Sequence, residues 1–166
     1  MTKLIELTEI VLFDWGNTLM VDFPEAQGKM CDWEVVEEVA GAREVLVALS
    51  KQHKLYVATN AADSTEQDII QAFERVGLSQ YLSGYFCKAS LGVSKYHSDF
   101  YPAIITQLGV QAQDVTMIGD TLEKDIYPAL ASGLHAVWLN TRDKALDDAV
   151  DGAIVQIQSL IQLVET

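Results

Sequence analysis

The sequence predicts an α/β fold, a three-layer sandwich in which helices cover both faces of a mostly parallel, Rossmann-like sheet. Short apolar runs alternate along the chain with segments whose apolar residues recur at helical spacing. The connections between these segments are short, and several apolar runs stop at polar residues or turn formers. Such alternation is typical of consecutive β-α-β units, whose strands lie parallel in one sheet.

Size and charge limit the possible functions. The 166 residues suffice for one domain with a full core, and 49% of them are hydrophobic. Lysine and arginine total 11 against 24 acidic residues, which gives a formal net charge of −13. This charge disfavours nucleic acid or an anionic membrane as a partner. A small phosphorylated ligand stays compatible, because a local metal ion or lysine can reverse the field.

Targeting signals and paired cysteines are not evident in the sequence. The N-terminal residues contain no long apolar segment of the kind that a signal peptide has, and no apolar run approaches the roughly 18 residues of a membrane span. Cys31 and Cys87 lie far apart and without paired spacing. We therefore expect a cytoplasmic protein with reduced thiols.

The first predicted strand, residues 10–13, ends at a carboxylate. The apolar run is followed by Asp14 and then by Gly-Asn-Thr, which are turn formers. A short apolar run stopped by turn residues is typical of a buried strand in a parallel sheet. Asp14 is thus predicted at the carboxyl end of the strand, where open α/β sheets bind ligands. The alternative is that Asp14 only caps its own turn in contact with solvent.

The segment between the first two strands has a mixed pattern. Residues 19–28 contain turn and helix breakers and predict a loop or a short hairpin. Residues 32–40 predict a short helix with valines on one face, and apolar spacing predicts a further helix around 45–49. The second predicted strand, residues 55–59, ends in polar residues.

The later elements continue the alternation. Asp63 and Glu66 have the spacing of a capping box with Asp63 as the cap, which predicts a helix that ends at Gly77. The remaining predicted elements are a weak strand over 85–88, a loop over 90–95, a helix to Leu108, strands over 115–118 and 135–139 with a helix between them, a short strand over 153–155, and a last helix from Ile157 to Val164.

Polar residues that suit phosphoryl chemistry stand where these strands end. They are Asp14 after the first strand, Thr59 and Asn60 after the second, Asp120 and Asp125 after the fourth, and Lys95 at the start of a helix. If the fold is as predicted, all of them point into one crevice. Hard oxygen ligands hold Mg²⁺, and the metal and a lysine together neutralise a phosphate. Asp14 would then be a nucleophile that forms an aspartyl-phosphate.

Each of these residues also has a purely structural alternative. Thr59 can be a cap at the end of its strand, and Lys95 can be an ordinary surface lysine. For Asp120 and Asp125 the alternative is negative charge at the start of a helix, which complements the helix dipole.

Taken together and in order, the motifs resemble those of the haloacid dehalogenase (HAD) superfamily of hydrolases. The matching positions are a hydrophobic strand followed by Asp14 and Thr18, a strand followed by Thr59, the loop lysine Lys95, and Gly119-Asp120 followed by Asp125. The resemblance covers roughly residues 8–140 and implies a HAD-like core.

The resemblance also implies roles for individual residues. Asp14 is similar to the family's nucleophile and metal ligand, and the backbone carbonyl of Gly16 would be a second ligand. The implied residues are Asp14, Thr59 and Lys95 for catalysis, Thr18, Thr59, Asn60 and Lys95 for substrate binding, and Asp14, Gly16, Asp120 and Asp125 for Mg²⁺, with Asp125 supporting either the waters of the metal or Lys95.

The first departure from the family pattern concerns proton transfer. Family phosphatases usually carry a second aspartate two residues after the nucleophile, where this chain has Gly16. General acid–base help is typically worth about 10²–10⁴ in rate, so we expect activated substrates such as aryl, acyl or anhydride phosphates. The Asp-Trp-Gly run also resembles that of phosphonoacetaldehyde hydrolases, and dehalogenases lack the acid too. Hydrolysis of a C–P or C–halogen bond is therefore a further alternative.

The second departure is the lack of room for a cap domain. We predict one core domain over residues 1–166, with a short hairpin or helical insert over 19–40 in place of a full cap. Lys29 is the only lysine in this insert and thus the candidate for the Schiff-base lysine of phosphonatases, with a plain loop lysine as the alternative.

A third departure follows the motif lysine. Tyr96 replaces the proline that usually stands there, and the adjacent His97 is a candidate proton donor.

Two functions from different classes follow. The first is a Mg²⁺-dependent hydrolase that acts on a small phosphorylated substrate or a phosphoprotein. The second is a catalytically impaired module, weakened by Gly16, that binds a phosphorylated ligand or a protein partner. Mg²⁺-dependent turnover would indicate the hydrolase, and saturable binding without turnover would indicate the module.

Overall fold

The computed structural model describes residues 3–146 and 154–165, and in these residues the predicted sheet is present. Its strands are β1 (Ile10–Phe13), β2 (Lys54–Ala58), β3 (Gly84–Phe86), β4 (Val115–Gly119), β5 (His135–Leu139) and β6 (Val155–Ile157). They lie in the order β3-β2-β1-β4-β5-β6, and every neighbouring pair is parallel. The predicted α/β sandwich with a Rossmann-like sheet is confirmed.

Helices cover both faces of this sheet. They are α1 (Lys3–Glu6), α2 (Ala42–Leu49), α3 (Glu66–Arg75), α4 (Lys88–Leu91), α5 (Phe100–Leu108) and α6 (Tyr127–Ala131), with a π-helical turn Leu122–Ile126 before α6 and 3₁₀ turns at Met30–Asp32, Ser79–Tyr81, Ala112–Asp114 and Leu160–Leu163. None of the helices in the described part of the chain is long and apolar enough to cross a membrane.

Strand β1 is buried on both sides, which explains its unbroken apolar run. Val11 and Phe13 join the core that α2 and α3 cover, whereas Ile10 and Leu12 join the core that α5 and α6 cover. Successive side chains of a strand point to opposite faces, so a central strand between two helical layers must be apolar at every position.

The sheet order places a binding crevice at the end of β1. From β1 the chain moves outward through β2 to β3, and then crosses to β4 on the other side of β1. Ligands in open α/β sheets bind at such a point, where the direction of strand progression reverses. The backbone N–H of Asp14 donates to the carbonyl of Ile118 at 2.9 Å, so the ladder between β1 and β4 reaches this residue.

Two predictions about where helices begin were wrong: Asp63 was predicted as the cap of α3, and Lys95 was predicted at the start of the next helix. Residue 63 is not the cap of α3. Thr65 is the N-cap, its hydroxyl accepts from the Asp68 N–H at 3.3 Å, and the Asp68 carboxylate accepts from the Thr65 N–H at 2.8 Å. The capping box therefore lies two residues later than predicted, because Thr65 and Asp68 supply both reciprocal bonds. Helix α5 begins at Phe100, with Lys95 in the turn before it.

The predicted helix over 32–40 does not form. Its backbone instead pairs with the preceding segment: the Val21 N–H donates to the Glu37 carbonyl at 2.9 Å, and the Val39 N–H donates to the Leu19 carbonyl at 2.8 Å. An antiparallel bridge joins Met20 to Glu38 between them. The valines that suggested a helical face do not form one, and β-branched side chains favour extended backbone.

The remaining differences concern boundaries. Strand β3 (Gly84–Phe86) begins one residue earlier than the predicted strand over 85–88 and ends two residues earlier. Helix α4 (Lys88–Leu91) includes the first residues of the loop predicted over 90–95. The sixth strand is Val155–Ile157; its predicted start at residue 153 lies outside the described residues. Ile157 pairs with Leu139 in the sheet, so the predicted last helix is reduced to a 3₁₀ turn.

Candidate active site

A cleft of about 630 Å³ opens at the carboxyl ends of the central strands. Its lining includes the strand-end residues that the sequence singled out, namely Asp14, Gly16, Thr59, Asn60 and Asp120. Charged side chains that the sequence did not single out for the site also line it, among them Asp22, Asp63 and Lys124. The topology thus brings together side chains that are far apart in the sequence.

The ammonium of Lys95 lies below this cleft and binds two carboxylates. Its Nζ donates to Asp14 Oδ1 at 2.6 Å and to Asp125 Oδ1 at 2.7 Å. The side chain is only 1% exposed, so Lys95 is not a surface lysine. Burial alone would lower the pKa of the ammonium, but the negative charges of Asp14 and Asp125 outweigh it and raise that pKa above its ordinary value.

The loop that carries Lys95 is held by Asn60. The Lys95 backbone N–H donates to Asn60 Oδ1 at 2.9 Å, which ties this loop to the end of β2. Asn60 therefore has a positioning contact that its sequence context did not indicate. Tyr96, at the position where the family pattern has proline, is exposed.

Asp125 is completely buried and both of its oxygens accept protein hydrogen bonds. Oδ1 accepts from Lys95, and Oδ2 accepts from the Thr121 N–H at 3.1 Å. A Cβ at Gly119 would lie 2.3 Å from Asp125 Oδ2, so only glycine leaves room for this carboxylate. The Asp125 carboxylate is thus a partner of Lys95, not simply a charge at a helix start.

Asp120 forms no ion pair of this kind with any residue in the described part of the chain. Burial, and then the charge of Asp14, raise the pKa of Asp120 to about 7, and the same two causes raise the pKa of Asp125 to about 6. The Thr18 hydroxyl lies 3.4 Å from Asp14 Oδ2 and 3.4 Å from Asp120 Oδ1. The raised pKa values indicate negative charge that Lys95 alone does not compensate.

The acidic residues are close enough to hold one metal ion. Asp14, Asp120 and Asp125 each offer a carboxylate oxygen, and these atoms all lie within 4.8 Å of one another. Oxygen ligands of this kind suit Mg²⁺. Because Asp125 already binds Lys95 and Thr121, Asp14 and Asp120 are the carboxylates with the most capacity left for a cation. Gly16 lines the same cleft.

Thr59 lies at the end of β2, a position that fits both predicted roles, a cap of the strand end and a residue of the phosphate site. Its N–H donates to the Phe86 carbonyl at 2.9 Å, which continues the ladder beyond β2. Its Oγ1 accepts from the Ala61 N–H at 3.2 Å, a short turn of the type that threonine often forms. The side chain thus caps the strand end and also lines the cleft.

Two candidate residues do not join the cleft residues. Lys29 Nζ binds Asp68 Oδ2 at 2.8 Å, and this hydrogen bond raises the pKa of the ammonium. A Schiff base needs a neutral amine, so this pairing argues against that role. His97 is exposed beside Asp99, and its Nδ1 accepts from the Asp99 N–H at 3.1 Å.

Sequence analysis did not identify Asp22. A Cβ at Gly16 would lie 3.3 Å from the Asp22 Cβ and 3.5 Å from its Oδ2. The Asp22 N–H donates to Asn17 Oδ1 at 3.0 Å, and Asn17 has a left-handed φ of 58°. The one available indication was Asn17 itself, because asparagine tolerates left-handed backbone and bonds nearby backbone groups.

The fold and this cleft define a class of protein: a Rossmann-like core with an acidic, lysine-linked site at the point where the strand order reverses. The family model of haloacid dehalogenase-like hydrolases matches residues 11–139. The chain therefore belongs to the haloacid dehalogenase-like hydrolases, and the predicted resemblance is confirmed.

The sequence identity to individual relatives is modest and covers only part of each chain. The chain is 27% identical over 118 residues to pyrimidine 5'-nucleotidase YjjG of Escherichia coli, a match that covers 70% of this chain and 51% of the relative. It is 33% identical over 103 residues to human N-acylneuraminate-9-phosphatase, covering 59% of this chain and 39% of that one. The chain thus spans about half of the length, or less, of these curated relatives.

Solved structures support the same fold. An uncharacterized protein from Listeria monocytogenes serotype 4b superposes with a TM-score of 0.80, covering 95% of this chain and 94% of that chain. Its sequence identity is 22%, so this likeness concerns the fold alone.

Proposed function

We propose that this chain is a Mg²⁺-dependent phosphatase that uses Asp14 as its nucleophile. The observation that carries the proposal is the buried Lys95, which bonds Asp14 at 2.6 Å at the base of the cleft. A buried lysine and carboxylate are costly to maintain without a role, because desolvation opposes them. The names of the relatives, a nucleotidase and a phosphatase, support phosphate esters as the substrate class.

Each residue has a role in this proposal. The Asp14 carboxylate attacks phosphorus, and Lys95 holds that carboxylate and offsets the negative charge of the phosphoryl group. Thr18, Thr59 and Asn60 bind the phosphoryl oxygens. Mg²⁺, held by Asp14 and Asp120 with the Gly16 carbonyl, would neutralise charge on the phosphoryl group and orient it. Asp125 positions Lys95 by accepting its second hydrogen bond.

Residues of the segment 19–40 line the cleft, and in this proposal the segment stands in place of a full cap. Ala26, Gly28, Met30 and Trp33 line the cleft. The insert is attached to α3, since Lys29 binds Asp68 and Arg75 donates to the Cys31 carbonyl at 3.1 Å. This segment leaves the site open for a small phosphorylated substrate or the phosphorylated residue of a protein.

Gly16 favours a second candidate, a module that binds a phosphorylated ligand without turning it over. Hydrolysis of a C–P bond through a Schiff base is less favoured, because Lys29 is paired with Asp68. A binding module would show saturable affinity for inorganic phosphate and no turnover.

The test is hydrolysis of p-nitrophenyl phosphate and acetyl phosphate, with Mg²⁺ and with EDTA. We expect Mg²⁺-dependent turnover by the wild type and its loss in Asp14→Asn. Asp99→Asn removes an exposed carboxylate outside the cleft and should leave the rates unchanged. Absence of wild-type turnover on both substrates would contradict the phosphatase and favour the binding module.

A further inference from the structure

We propose that Asp22 is a catalytic acid and base that takes the place of the side chain missing at Gly16. This inference rests on the proposed phosphatase function. Its basis is that a Cβ at Gly16 would lie 3.5 Å from Asp22 Oδ2, so the Asp22 carboxylate is next to the space that a side chain at position 16 would enter. Asp22 also lines the same cleft as Asp14 and Thr59.

The backbone around Gly16 brings Asp22 back to this position. Asn17 is left-handed, its N–H donates to the Met20 carbonyl at 2.7 Å, and its Oδ1 accepts from the Asp22 N–H at 3.0 Å. Val21 then pairs with Glu37 at 2.9 Å. The chain therefore reverses directly after Gly16, and hydrogen bonds from the backbone and to the Asn17 side chain hold Asp22 beside it.

The carboxylate of Asp22 is not needed for this turn. Only its backbone N–H takes part in the bond to Asn17, and within residues 3–146 and 154–165 no side chain or backbone group donates to the carboxylate oxygens. The side chain is exposed to the open cleft, so water can reach the carboxylate. A free carboxylate that the backbone places beside the nucleophile's cleft is suited to proton transfer.

The proposed steps account for every proton. When an Asp14 oxygen attacks phosphorus, the bond from phosphorus to the leaving oxygen breaks, and protonated Asp22 gives its proton to that oxygen, which departs as an alcohol. Water then attacks the aspartyl-phosphate while the Asp22 carboxylate takes a proton from it. The bond between phosphorus and Asp14 breaks, inorganic phosphate leaves, and both aspartates return to their starting forms.

This role changes the expected substrates. Gly16 alone limits the chain to activated phosphates, whose leaving groups need no proton. With Asp22 as the acid, esters of ordinary alcohols, such as sugar or glycerol phosphates, become substrates. The proposed class is therefore unactivated alkyl phosphate monoesters.

The experiment compares wild type with Asp22→Asn on two substrates in the presence of Mg²⁺. For glycerol 2-phosphate, whose leaving group needs protonation, kcat/KM should fall by about 10²–10⁴ in the variant, and for p-nitrophenyl phosphate by less than about tenfold. Because the base is also removed, the variant should show a stoichiometric burst of p-nitrophenolate as the aspartyl-phosphate accumulates. Asp63→Asn is the matched control, since it removes another exposed carboxylate from the same cleft.

A second, independent experiment moves the carboxylate from position 22 to position 16. Gly16→Asp alone would crowd Asp22, because the two Cβ atoms would be 3.3 Å apart. The double variant Gly16→Asp with Asp22→Gly removes this contact and should regain activity on glycerol 2-phosphate relative to Asp22→Gly alone.

Three results would overturn the role of Asp22: an equal fall of kcat/KM on both substrates, no fall on either, or the same leaving-group dependence in Asp63→Asn. Failure of the phosphatase function itself is distinct. It would appear in the wild type as no turnover of either substrate and no phosphorylated enzyme, and it would overturn both proposals.

Discussion

Lys95 Nζ and Asp14 Oδ1 lie 2.6 Å apart, although the two residues are 81 positions apart in the chain. Their ion pair joins the end of the central strand to the loop before α5, and a second bond continues it to Asp125. The residues that we propose for catalysis thus also connect three separate parts of the fold. Changes to Lys95 should therefore affect stability and activity together.

The first prediction concerns removal of this lysine. Lys95→Met leaves Asp14 and Asp125 without their cation, and breaking a buried ion pair on one side typically costs about 3–5 kcal/mol. We expect a loss of that size in the free energy of unfolding from urea denaturation at pH 7. The loss should be smaller at pH 5, where the orphaned carboxylates can bind protons.

Lys51→Met is the matched control, because Lys51 is exposed and lies outside the site. It should change the free energy of unfolding by less than about 0.5 kcal/mol. A Lys95→Met protein as stable as this control would show that the triad is not a buried ion network in solution.

The sheet could be predicted from the sequence because the unbroken apolar runs of its central strands indicate burial on both faces. The predicted strands 10–13 and 135–139 coincide with β1 and β5, since burial on both faces demands an unbroken apolar run. The segment 32–40 could not be predicted in this way. Its backbone hydrogen bonds go to residues 19–21, a tertiary pairing that no local pattern contains.

The site was predictable to the extent that strand ends locate it. Asp14, Thr59 and Asp120 follow their strands directly, so the sheet brings them together. Asp22 was not predictable, because its position depends on the left-handed turn at Asn17. Similarly, the contact of Asn60 with the Lys95 backbone depends on how two loops meet.

The second prediction is that Mg²⁺ stabilises the folded protein even without substrate. A ligand that binds only the native state adds about 2.7 kcal/mol when its concentration is 100 times Kd. The unfolding temperature should therefore rise as Mg²⁺ is titrated into protein first treated with EDTA. The rise should be much smaller in Asp120→Asn, which removes a proposed ligand.

Asp63→Asn serves as the control for lost charge in the same cleft and should keep the full Mg²⁺ response. If Asp120→Asn and Asp63→Asn respond to Mg²⁺ alike, the acidic cluster is not the metal site.

The third prediction concerns pH in the metal-free protein. The pKa of Asp120 is raised to about 7 by burial and by Asp14. The folded state therefore binds a proton more tightly than the unfolded state, and stability must fall as pH rises from the unfolded pKa toward 7. We expect a loss of about 1–2 kcal/mol between pH 4 and pH 7, discounted for the partial exposure of Asp120.

Urea denaturation in EDTA at several pH values measures this slope. Asp120→Asn removes this carboxyl group and should reduce the slope, leaving the part that comes from Asp125, whose pKa is raised to about 6. Asp99→Asn, outside the cleft, should leave the slope unchanged. A metal-free wild type whose stability rises between pH 5 and pH 7 would contradict the raised pKa.

The fourth prediction concerns the room that Gly119 leaves for Asp125. A Cβ there would lie 2.3 Å from Asp125 Oδ2, so Gly119→Ala must displace the carboxylate that binds Lys95. Overpacking of this kind costs about 1–3 kcal/mol, and activity should fall because Lys95 loses its second partner. Gly16→Ala is the comparison for a milder contact, because its Cβ would lie 3.3 Å from the Cβ of the exposed Asp22, and it should lose less stability. If Gly119→Ala unfolds at the same urea concentration as Gly16→Ala, Asp125 does not occupy this position in solution.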